Sequence, residues 1–157
     1  MGDSTFTRKE SIRLREFDYA SSRIYFVTIV VRERKRLFVN SQFAGETIEC
    51  LIRLRHRLSF NVYSYCLMPD HFHALIGPGN SGRALGEICG AFKSLTTRIS
   101  WKWYEGKLWQ RQYFDHIIRN EDDFLDCLRY IKNNPVKAEL VEKAEDWPYT
   151  GRLDYLR

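Results

Sequence analysis

Two apolar segments separated by a two-residue turn constrain the fold of this chain more than any other feature of its sequence. Residues 61–68 (NVYSYCLM) and residues 71–77 (HFHALIG) are short, largely apolar runs bounded by turn residues, which favours β-strands. Pro69 and Asp70 stand between them and favour a tight turn. The stretch therefore predicts two consecutive strands that fold back on one another.

The rest of the chain predicts the elements around these two strands. They are a strand over residues 24–31, a helix over 42–58 with Ser41 as its N-cap, a helix over 84–103 and a short strand over 113–118. A last helix is expected to begin at Asn120, before three acidic residues that suit the positive end of a helix dipole. It is expected to end near residue 133, because Pro135 disfavours helical geometry in the residue before it.

The order of these elements, β-α-β-β-α-β followed by a helix, is that of a ferredoxin-like α+β fold. It predicts a four-stranded antiparallel sheet with its first two helices on one face and an added C-terminal helix. At 157 residues the chain is expected to be one domain, 1–157. Residues 1–22 are expected to form an extended N-terminal arm, and residues 136–157 a tail with a short helix and an extended end.

Charge and cysteine content narrow the class of protein. The chain carries 25 basic and 20 acidic residues, and 15% of its residues are aromatic. This permits nucleic acid as a partner, but it fits a basic protein without a polyanionic partner equally well. No pair among Cys50, Cys66, Cys89 and Cys127 has CxxC spacing, so reduced core thiols in a cytoplasmic protein are expected. The apolar runs are too short to span a bilayer, so no membrane association is expected.

The histidine pair lies inside the second of the two apolar segments. Side chains two apart on a strand share a face, so His71 and His73 are expected to project together while Phe72 packs under the helices. Two adjacent imidazoles can share one cation, and Asp70 can orient one of them. The alternative is two ordinary polar residues on a half-exposed strand. Two ligands are too few for a stable site, so a third must come from elsewhere.

The last predicted helix offers such a third group. Its buried stripe is expected to be Phe124, Leu128 and Ile131, at i, i+4 and i+7. Tyr130 and Asn134 lie one turn apart beside that stripe, and they offer a hydroxyl and an amide oxygen. Alternatively, Asn134 caps a short helix that starts at Pro135, and Tyr130 is a partly buried aromatic residue.

Several segments together resemble the single-tyrosine HUH transposases, and within them the REP-associated tyrosine transposases. HUH stands for His, a hydrophobic residue and His, here His71-Phe72-His73. The similar segments are residues 8–14, 17–19 and 25–28, MPDHFHAL at 68–75, LWQRQYFDH at 108–116, and YIKNNPVK at 130–137, which matches the nucleophile motif YIxxNP. One departure is Asp70, where many relatives have asparagine.

The resemblance implies a function for these residues. His71, His73 and Asn134 would hold one divalent cation, Mg²⁺ or Mn²⁺, and Tyr130 would be the nucleophile of a metal-dependent DNA endonuclease and strand transferase. The expected intermediate is a 5′-phosphotyrosine, and the expected substrate is single-stranded DNA with a small palindromic hairpin. The REP-associated relatives are expected to act as monomers, whereas insertion-sequence relatives form homodimers that exchange the catalytic helix. Of the remaining histidines, His116 is expected to be structural and His56 exposed.

Basic residues interleaved with aromatic ones suggest where DNA binds, since phosphate neutralisation combined with base stacking is typical of single-strand binding. The candidates are Arg8, Lys9, Arg13 and Arg15 on the arm, and Lys93, Arg98, Lys102, Lys107 and Arg111 near Trp101, Trp103 and Trp109. Alternatively, these charges are merely solvated and several of the aromatic residues belong to the core. Two other classes of function remain open: a hairpin-binding regulatory protein without catalysis, and a metal-dependent phosphoesterase.

Overall fold

The computed structural model describes residues 23–156, which form a five-stranded sheet covered by helices on both faces. In chain order the elements are β1 (Tyr25–Val30), α1 (Ser41–Leu58), β2 (Asn61–Leu67), β3 (His71–Gly77), α2 (Leu85–Ser100), β4 (Phe114–Ile117), α3 (Glu121–Lys137) and β5 (Thr150–Gly151). Short 3₁₀ turns at Arg32–Arg34, Leu37–Val39 and Ala144–Asp146 connect them. Among the described residues no helix combines the length and the apolar character needed to cross a bilayer.

The sheet order is β4-β1-β3-β2-β5, and every neighbouring pair is antiparallel. The first four strands have the order expected of the ferredoxin-like pattern, so the predicted α+β fold is confirmed. The fifth strand comes from the C-terminal tail, which was expected to be only a short helix and an extended end. In β5, Thr150 pairs with Cys66 and Gly151 with Tyr65. A Cβ at Gly151 would lie 2.8 Å from the Tyr65 hydroxyl, so only glycine allows this approach.

The face of the sheet under α1 and α2 carries the main hydrophobic core. On β3, Phe72, Ala74 and Ile76 are buried in this core, as the alternation of the sequence predicts. Phe72 stacks on Phe92 of α2, with ring centroids 4.8 Å apart. Since alternate residues of a strand face opposite ways, this packing directs His71, His73 and Leu75 to the other face.

The second face is covered by α3. Phe124 and Ile131 are fully buried there, and Leu128 is partly buried beside them, which confirms the predicted stripe. Their cluster includes Leu75 of β3, so α3 lies directly across the strand that carries the histidines. Asn120 caps α3 as predicted, because its side-chain Oδ1 accepts a hydrogen bond from the backbone N–H of Asp123 at 2.9 Å.

The start of α1 and the end of α2 differ from the prediction. The N-cap of α1 is Asn40 rather than Ser41, since the Asn40 Oδ1 accepts from the N–H of Phe43 at 3.1 Å and Ser41 is already helical. Asparagine and serine are both good N-cap residues, and the extended backbone of Asn40 makes it the cap here. α2 ends at Ser100 instead of near residue 103, and the chain leaves it through a turn over residues 101–103.

The prediction that the last helix ends near residue 133 is wrong, because α3 continues through Pro135 to Lys137. Proline has no N–H to donate to the carbonyl of Ile131, so the helix forgoes one backbone bond there. The turn beyond is held by the N–H of Ala138, 2.9 Å from the Asn134 oxygen, and by the N–H of Leu140, 2.9 Å from the Pro135 oxygen. Pro135 is also buried, and this packing offsets the lost bond. Tyr130 and Asn134 therefore stand on one unbroken helix.

Candidate tyrosine and metal site

The histidine pair lies at the beginning of β3, and β1 pairs with β3 there. His73 is directly opposite Thr28 of β1, and His71 is directly opposite Val30. The two imidazole rings are 4.6 Å apart between centroids and inclined by 77°. The two histidines therefore project to the same face of the sheet, as predicted.

His73 is almost fully buried, with 5% of its surface exposed. Its Nδ1 lies 2.9 Å from the hydroxyl oxygen of Thr28. Burial, followed by the neighbouring His71, lowers the pKa of His73 to about 3, against a smaller opposing effect of Asp70. The ring is therefore neutral near pH 7, and in the tautomer whose Nδ1–H donates to the Thr28 hydroxyl its Nε2 presents a lone pair.

His71 is oriented by a charged partner. Its Nδ1 lies 2.7 Å from Oδ1 of Asp70. A carboxylate only accepts, so Nδ1 carries the hydrogen, and in the neutral ring Nε2 has the lone pair. The other Asp70 oxygen lies 3.5 Å from a guanidinium nitrogen of Arg34. Asp70 thus holds a histidine as the sequence predicts, and it also holds an arginine that the sequence analysis did not single out.

The helix α3 brings Tyr130 and Asn134 to the histidines. The Tyr130 ring lies 5.5 Å from the His73 ring and 5.7 Å from the Phe26 ring, edge-on to both. Tyr130 is 45% exposed, whereas Asn134 is 9% exposed. Because Asn134 lies inside α3, the alternative that it caps a following helix is wrong.

These side chains line one open cleft of about 760 Å³ between β1, β3 and α3. Its lining consists of Phe26, Thr28, Val30, Arg34, His71, His73, His116, Asp123, Asp126, Cys127, Tyr130 and Asn134. Two buried polar atoms of this lining, Nε2 of His73 and Oδ1 of Asn134, have no hydrogen-bond partner among the described residues. Buried polar groups are nearly always paired in folded proteins, so these two atoms in one cleft fit the ligands of a divalent cation.

The family of the chain follows from comparison with known proteins. A family model described as "Transposase IS200 like" matches residues 20–134, which is well over half of the chain. This protein is an IS200-like transposase family member. The matched region contains β1 to β4 and α3 as far as Asn134, and therefore both histidines and the tyrosine.

The relatives of this family member include REP-associated tyrosine transposases. A Haemophilus influenzae protein provisionally named so is 28% identical over 145 residues, covering 85% of this chain and 82% of that protein. The REP-associated tyrosine transposase of Escherichia coli is 22% identical over 134 residues, covering 84% and 78%. The resemblance stated from the sequence is confirmed.

The fold of this family member matches solved structures. A REP-associated tyrosine transposase bound to a REP hairpin superposes with a TM-score of 0.70 at 24% identity, covering 85% of this chain and 79% of that one. A Deinococcus radiodurans structure assigned as a transposase gives a TM-score of 0.55 at 18% identity, covering 74% and 94%.

A second cluster in the cleft was missed by the sequence analysis. Ligand-type atoms of His116, Asp123 and Cys127 all lie within 4.8 Å of one another. Burial, followed by Asp123 and Asp126, raises the pKa of Cys127 to about 12, so the free thiol is protonated near pH 7. The Asp123 carboxylate already accepts from Nε2 of His116 at 2.9 Å and from the N–H of Arg119 at 3.0 Å. The cluster thus ties β4 to α3.

The sequence spacing of polar residues along α3 could have indicated that cluster. Asp123, Cys127, Tyr130 and Asn134 stand at i, i+4, i+7 and i+11, so they follow one face of the helix. The expected structural role of His116 agrees with its bond to Asp123, but its side chain also lines the cleft and is 44% exposed. His56 is exposed, as expected.

Among the residues predicted to contact DNA, those that the structure describes do not line the cleft. Lys93 donates to the carbonyl oxygens of Gln110 and Arg111 at 2.9 and 2.8 Å, and Lys102 pairs with Glu46. Arg98, Lys107 and Arg111 instead surround a separate depression of about 290 Å³ beside Trp101, at the edge of the face covered by α2. Trp109 is buried in the core and Trp103 is partly buried against it. This agrees with the alternative that several of these aromatic residues belong to the core. Arg8, Lys9, Arg13 and Arg15 lie outside the described residues.

Proposed function

We propose that this protein is a metal-dependent single-stranded DNA endonuclease and strand transferase that acts next to hairpins through a covalent 5′-phosphotyrosine. The observation that carries the proposal is the position of Tyr130. Its ring lies 5.5 Å from the His73 ring, in a cleft where Nε2 of His73 and Oδ1 of Asn134 have no partner among the described residues. Family membership supports DNA as the substrate class.

His71, His73 and Asn134 would hold a divalent cation, Mg²⁺ or Mn²⁺. When bound, the cation would withdraw charge from the phosphodiester oxygens and lower the barrier to nucleophilic attack. Thr28 and Asp70 hold the Nδ1 sides of the two imidazoles, so both Nε2 lone pairs stay available in fixed directions. Two nitrogen ligands and one amide oxygen suit Mn²⁺ at least as well as Mg²⁺.

Tyr130 supplies the nucleophilic oxygen. Its phenol loses a proton as its oxygen forms a bond to phosphorus, and the bond from phosphorus to the 3′-oxygen breaks. The 3′-oxygen takes up a proton and leaves as a 3′-hydroxyl, while the 5′-phosphate stays on the tyrosine. One phosphodiester replaces another, so the reverse attack by a 3′-hydroxyl rejoins strands without ATP.

Two cationic side chains lie near the cleft that holds Tyr130, where a phosphate of the DNA backbone would bind. Arg34 lines the cleft and is 65% exposed, and its ion pair with Asp70 is long at 3.5 Å. The Lys137 ammonium lies 5.9 Å from the centre of the Tyr130 ring. Both can neutralise a phosphate next to the tyrosine. The backbone of Arg34 has φ 50°, a strained value for a non-glycine residue.

The partner we propose is single-stranded DNA with a hairpin. The similar solved transposase is bound to a REP hairpin, and its chain superposes on most of this one. Around Trp101, which is 58% exposed, the depression formed by Arg98, Lys107 and Arg111 has no acidic residue in its lining within residues 23–156. This surface fits a nucleic-acid backbone next to a stacked base.

We further propose that the active unit is a monomer. Tyr130 and His73 meet within one chain, so no second chain is needed to complete the cleft. The alternative is a homodimer that exchanges α3, as expected for insertion-sequence relatives.

The test is a covalent-adduct assay with a fluorescently labelled hairpin oligonucleotide bearing single-stranded tails, in the presence of Mn²⁺. Wild-type protein is expected to give a labelled band that survives denaturation, and Tyr130→Phe is expected to give none while still binding the oligonucleotide. Tyr155→Phe is the matched control, since Tyr155 is 57% exposed and outside the cleft. An adduct that persists in Tyr130→Phe would show that another residue is the nucleophile.

The alternative function is a hairpin-binding regulator without catalysis. Binding that is insensitive to EDTA, together with no adduct and no cleavage of any hairpin by the wild-type protein, would favour it. Multiple turnover on a small phosphodiester without a covalent intermediate would instead mark a phosphoesterase.

A further inference from the structure

We propose that β4 forms a nucleobase-binding subsite at the rim of the cleft, in which Phe114 stacks on a base and His116 contacts its edge. The ligand is an unpaired base of the strand that enters the cleft, close to the phosphodiester that Tyr130 attacks. This inference rests on the proposed function and names the part of the substrate that the chain recognises there.

Phe114 stands in line with the histidine site. It pairs directly with Thr28, and Thr28 pairs on its other side with His73. Directly opposite residues of antiparallel strands project to the same face, so the Phe114 side chain is on the face of the cleft. Strands lie about 4.8 Å apart, which puts the Phe114 backbone about 10 Å from that of His73. Stacked nucleotides rise about 3.4 Å each, so this distance corresponds to about three nucleotides or fewer.

The Phe114 ring is open to a ligand. It is 62% exposed, and β4 is the edge strand of the sheet with all four residues exposed. Single exposed aromatic residues are common on protein surfaces, so exposure alone implies nothing. Here, however, the exposed ring is on the side of the sheet that holds the cleft with Tyr130, the two histidines and Arg34. The proposed function gives these residues the task of binding and cleaving DNA. A flat π surface at that place fits a nucleobase, because every base has a face that stacks on an aromatic ring.

His116 adds a directed polar atom beside that ring. It follows Phe114 by two residues, so it projects to the same face, where it pairs with Phe26 of the cleft lining. Its Nε2 lies 2.9 Å from both oxygens of Asp123, which accept and therefore fix the hydrogen on Nε2. In the neutral ring Nδ1 then presents a lone pair, which can accept from an amino or imino group on the edge of a base.

The experiment uses a fluorescein-labelled DNA hairpin with six-thymidine tails on both ends, titrated by anisotropy with full-length protein in the Tyr130→Phe background and Mn²⁺. Each tail position is replaced in turn by an abasic site. We expect one abasic position to weaken binding at least about fivefold, and Phe114→Leu to weaken binding of the intact oligonucleotide to a similar extent. Phe114→Leu is expected to change nothing further on that abasic oligonucleotide, because the base it stacks on is gone.

Ile117→Ala is the matched control. Ile117 lies on the same strand and is 43% exposed, but it pairs with Tyr25 and belongs to the opposite face. It is expected to bind every oligonucleotide as the parent protein does. Equal weakening of intact and abasic oligonucleotides by Phe114→Leu, or no weakening at all, would overturn the stacking role.

The role of His116 is tested by base preference. Placing dA, dC, dG or dT at the sensitive tail position is expected to give different affinities with the parent protein and more uniform ones with His116→Ala. Unchanged preference in that variant would overturn the contact. Because binding is measured without cleavage, failure here is distinct from failure of the proposed function, which would show as no binding of the hairpin by any variant or as no adduct with the wild-type protein.

Discussion

The hydroxyl oxygen of Thr28 lies 2.9 Å from Nδ1 of His73, and the two residues are directly opposite one another on β1 and β3. This bond holds the buried imidazole of His73 in one orientation, in which Nε2 faces the cleft. Sequence spacing pointed to His71 and His73 but not to Thr28, since Thr28 lies 45 residues away along the chain.

Thr28→Val tests this orientation. Valine has nearly the shape of threonine but no hydroxyl, so His73 loses the partner of its Nδ1. We expect Mn²⁺ affinity, measured by isothermal titration calorimetry, to fall about 10- to 100-fold, as is usual when the hydrogen-bond partner of a metal-binding histidine is removed. Thr97→Val is the control, because Thr97 lies on α2 outside the cleft lining and its hydroxyl donates to the carbonyl of Lys93. Unchanged Mn²⁺ binding by Thr28→Val would contradict the prediction.

Mixing two inactive variants tests whether one chain forms the whole site. Tyr130→Phe lacks the proposed nucleophile, and His73→Ala lacks a proposed metal ligand. Since Tyr130 and His73 meet within one chain, we expect no covalent DNA adduct when the two variants are mixed in equal amounts. Wild-type protein mixed with His73→Ala should give about half the adduct of wild type alone. Adduct formation in the mixture of the two variants would mean that α3 is exchanged between subunits.

Two adjacent residues before α1 offer a matched pair for helix capping. Asn40→Ala removes the side chain that accepts from Phe43 N–H, and we expect it to lower the free energy of unfolding by about 1 kcal/mol. Ser41→Ala is expected to change it by less than about 0.5 kcal/mol, because Ser41 is a helical residue. Urea denaturation monitored by circular dichroism measures both. The reverse ranking would mean that Ser41 is the cap.

Alkaline pH is expected to destabilise the protein through its buried thiols. Burial raises the pKa of Cys89 from its ordinary value of 9.0 to about 12. The folded state therefore keeps a proton that the unfolded state releases, so this contribution is intact below pH 9 and is lost as pH rises from 9 to 12. For one such thiol the free energy of unfolding falls by up to about 1.4 kcal/mol per pH unit.

The measurement is the slope of unfolding free energy against pH between 9 and 10.5, from urea denaturation. Cys89→Ala is expected to be less stable at every pH but to have a shallower slope than the wild type. An identical slope in the two proteins would show that the Cys89 thiol ionises as readily in the folded state as in the unfolded one.

Much of the architecture was predictable because it depends on local periodicity. The alternation in β3, the stripe Phe124, Leu128 and Ile131, and the cap at Asn120 are all properties of a few consecutive residues, and the structure has them as expected. The end of α3 was not predictable in this way. The helix continues through Pro135 where it packs on β2 and β3, so its end depends on segments distant in the chain and not on the local preference against a helix before proline.

The sequence by itself determined which faces of β3 and α3 carry chemistry, because side-chain direction follows from the repeat of a strand or a helix. Only the tertiary structure decided that these faces meet, that Thr28 and Asp70 hold the imidazoles, and that Phe114 and His116 share the sheet face with Tyr130. The physical reason is that strand order, register and the docking of α3 arise from apolar contacts between segments far apart in the chain. No local pattern encodes the distance between two such segments.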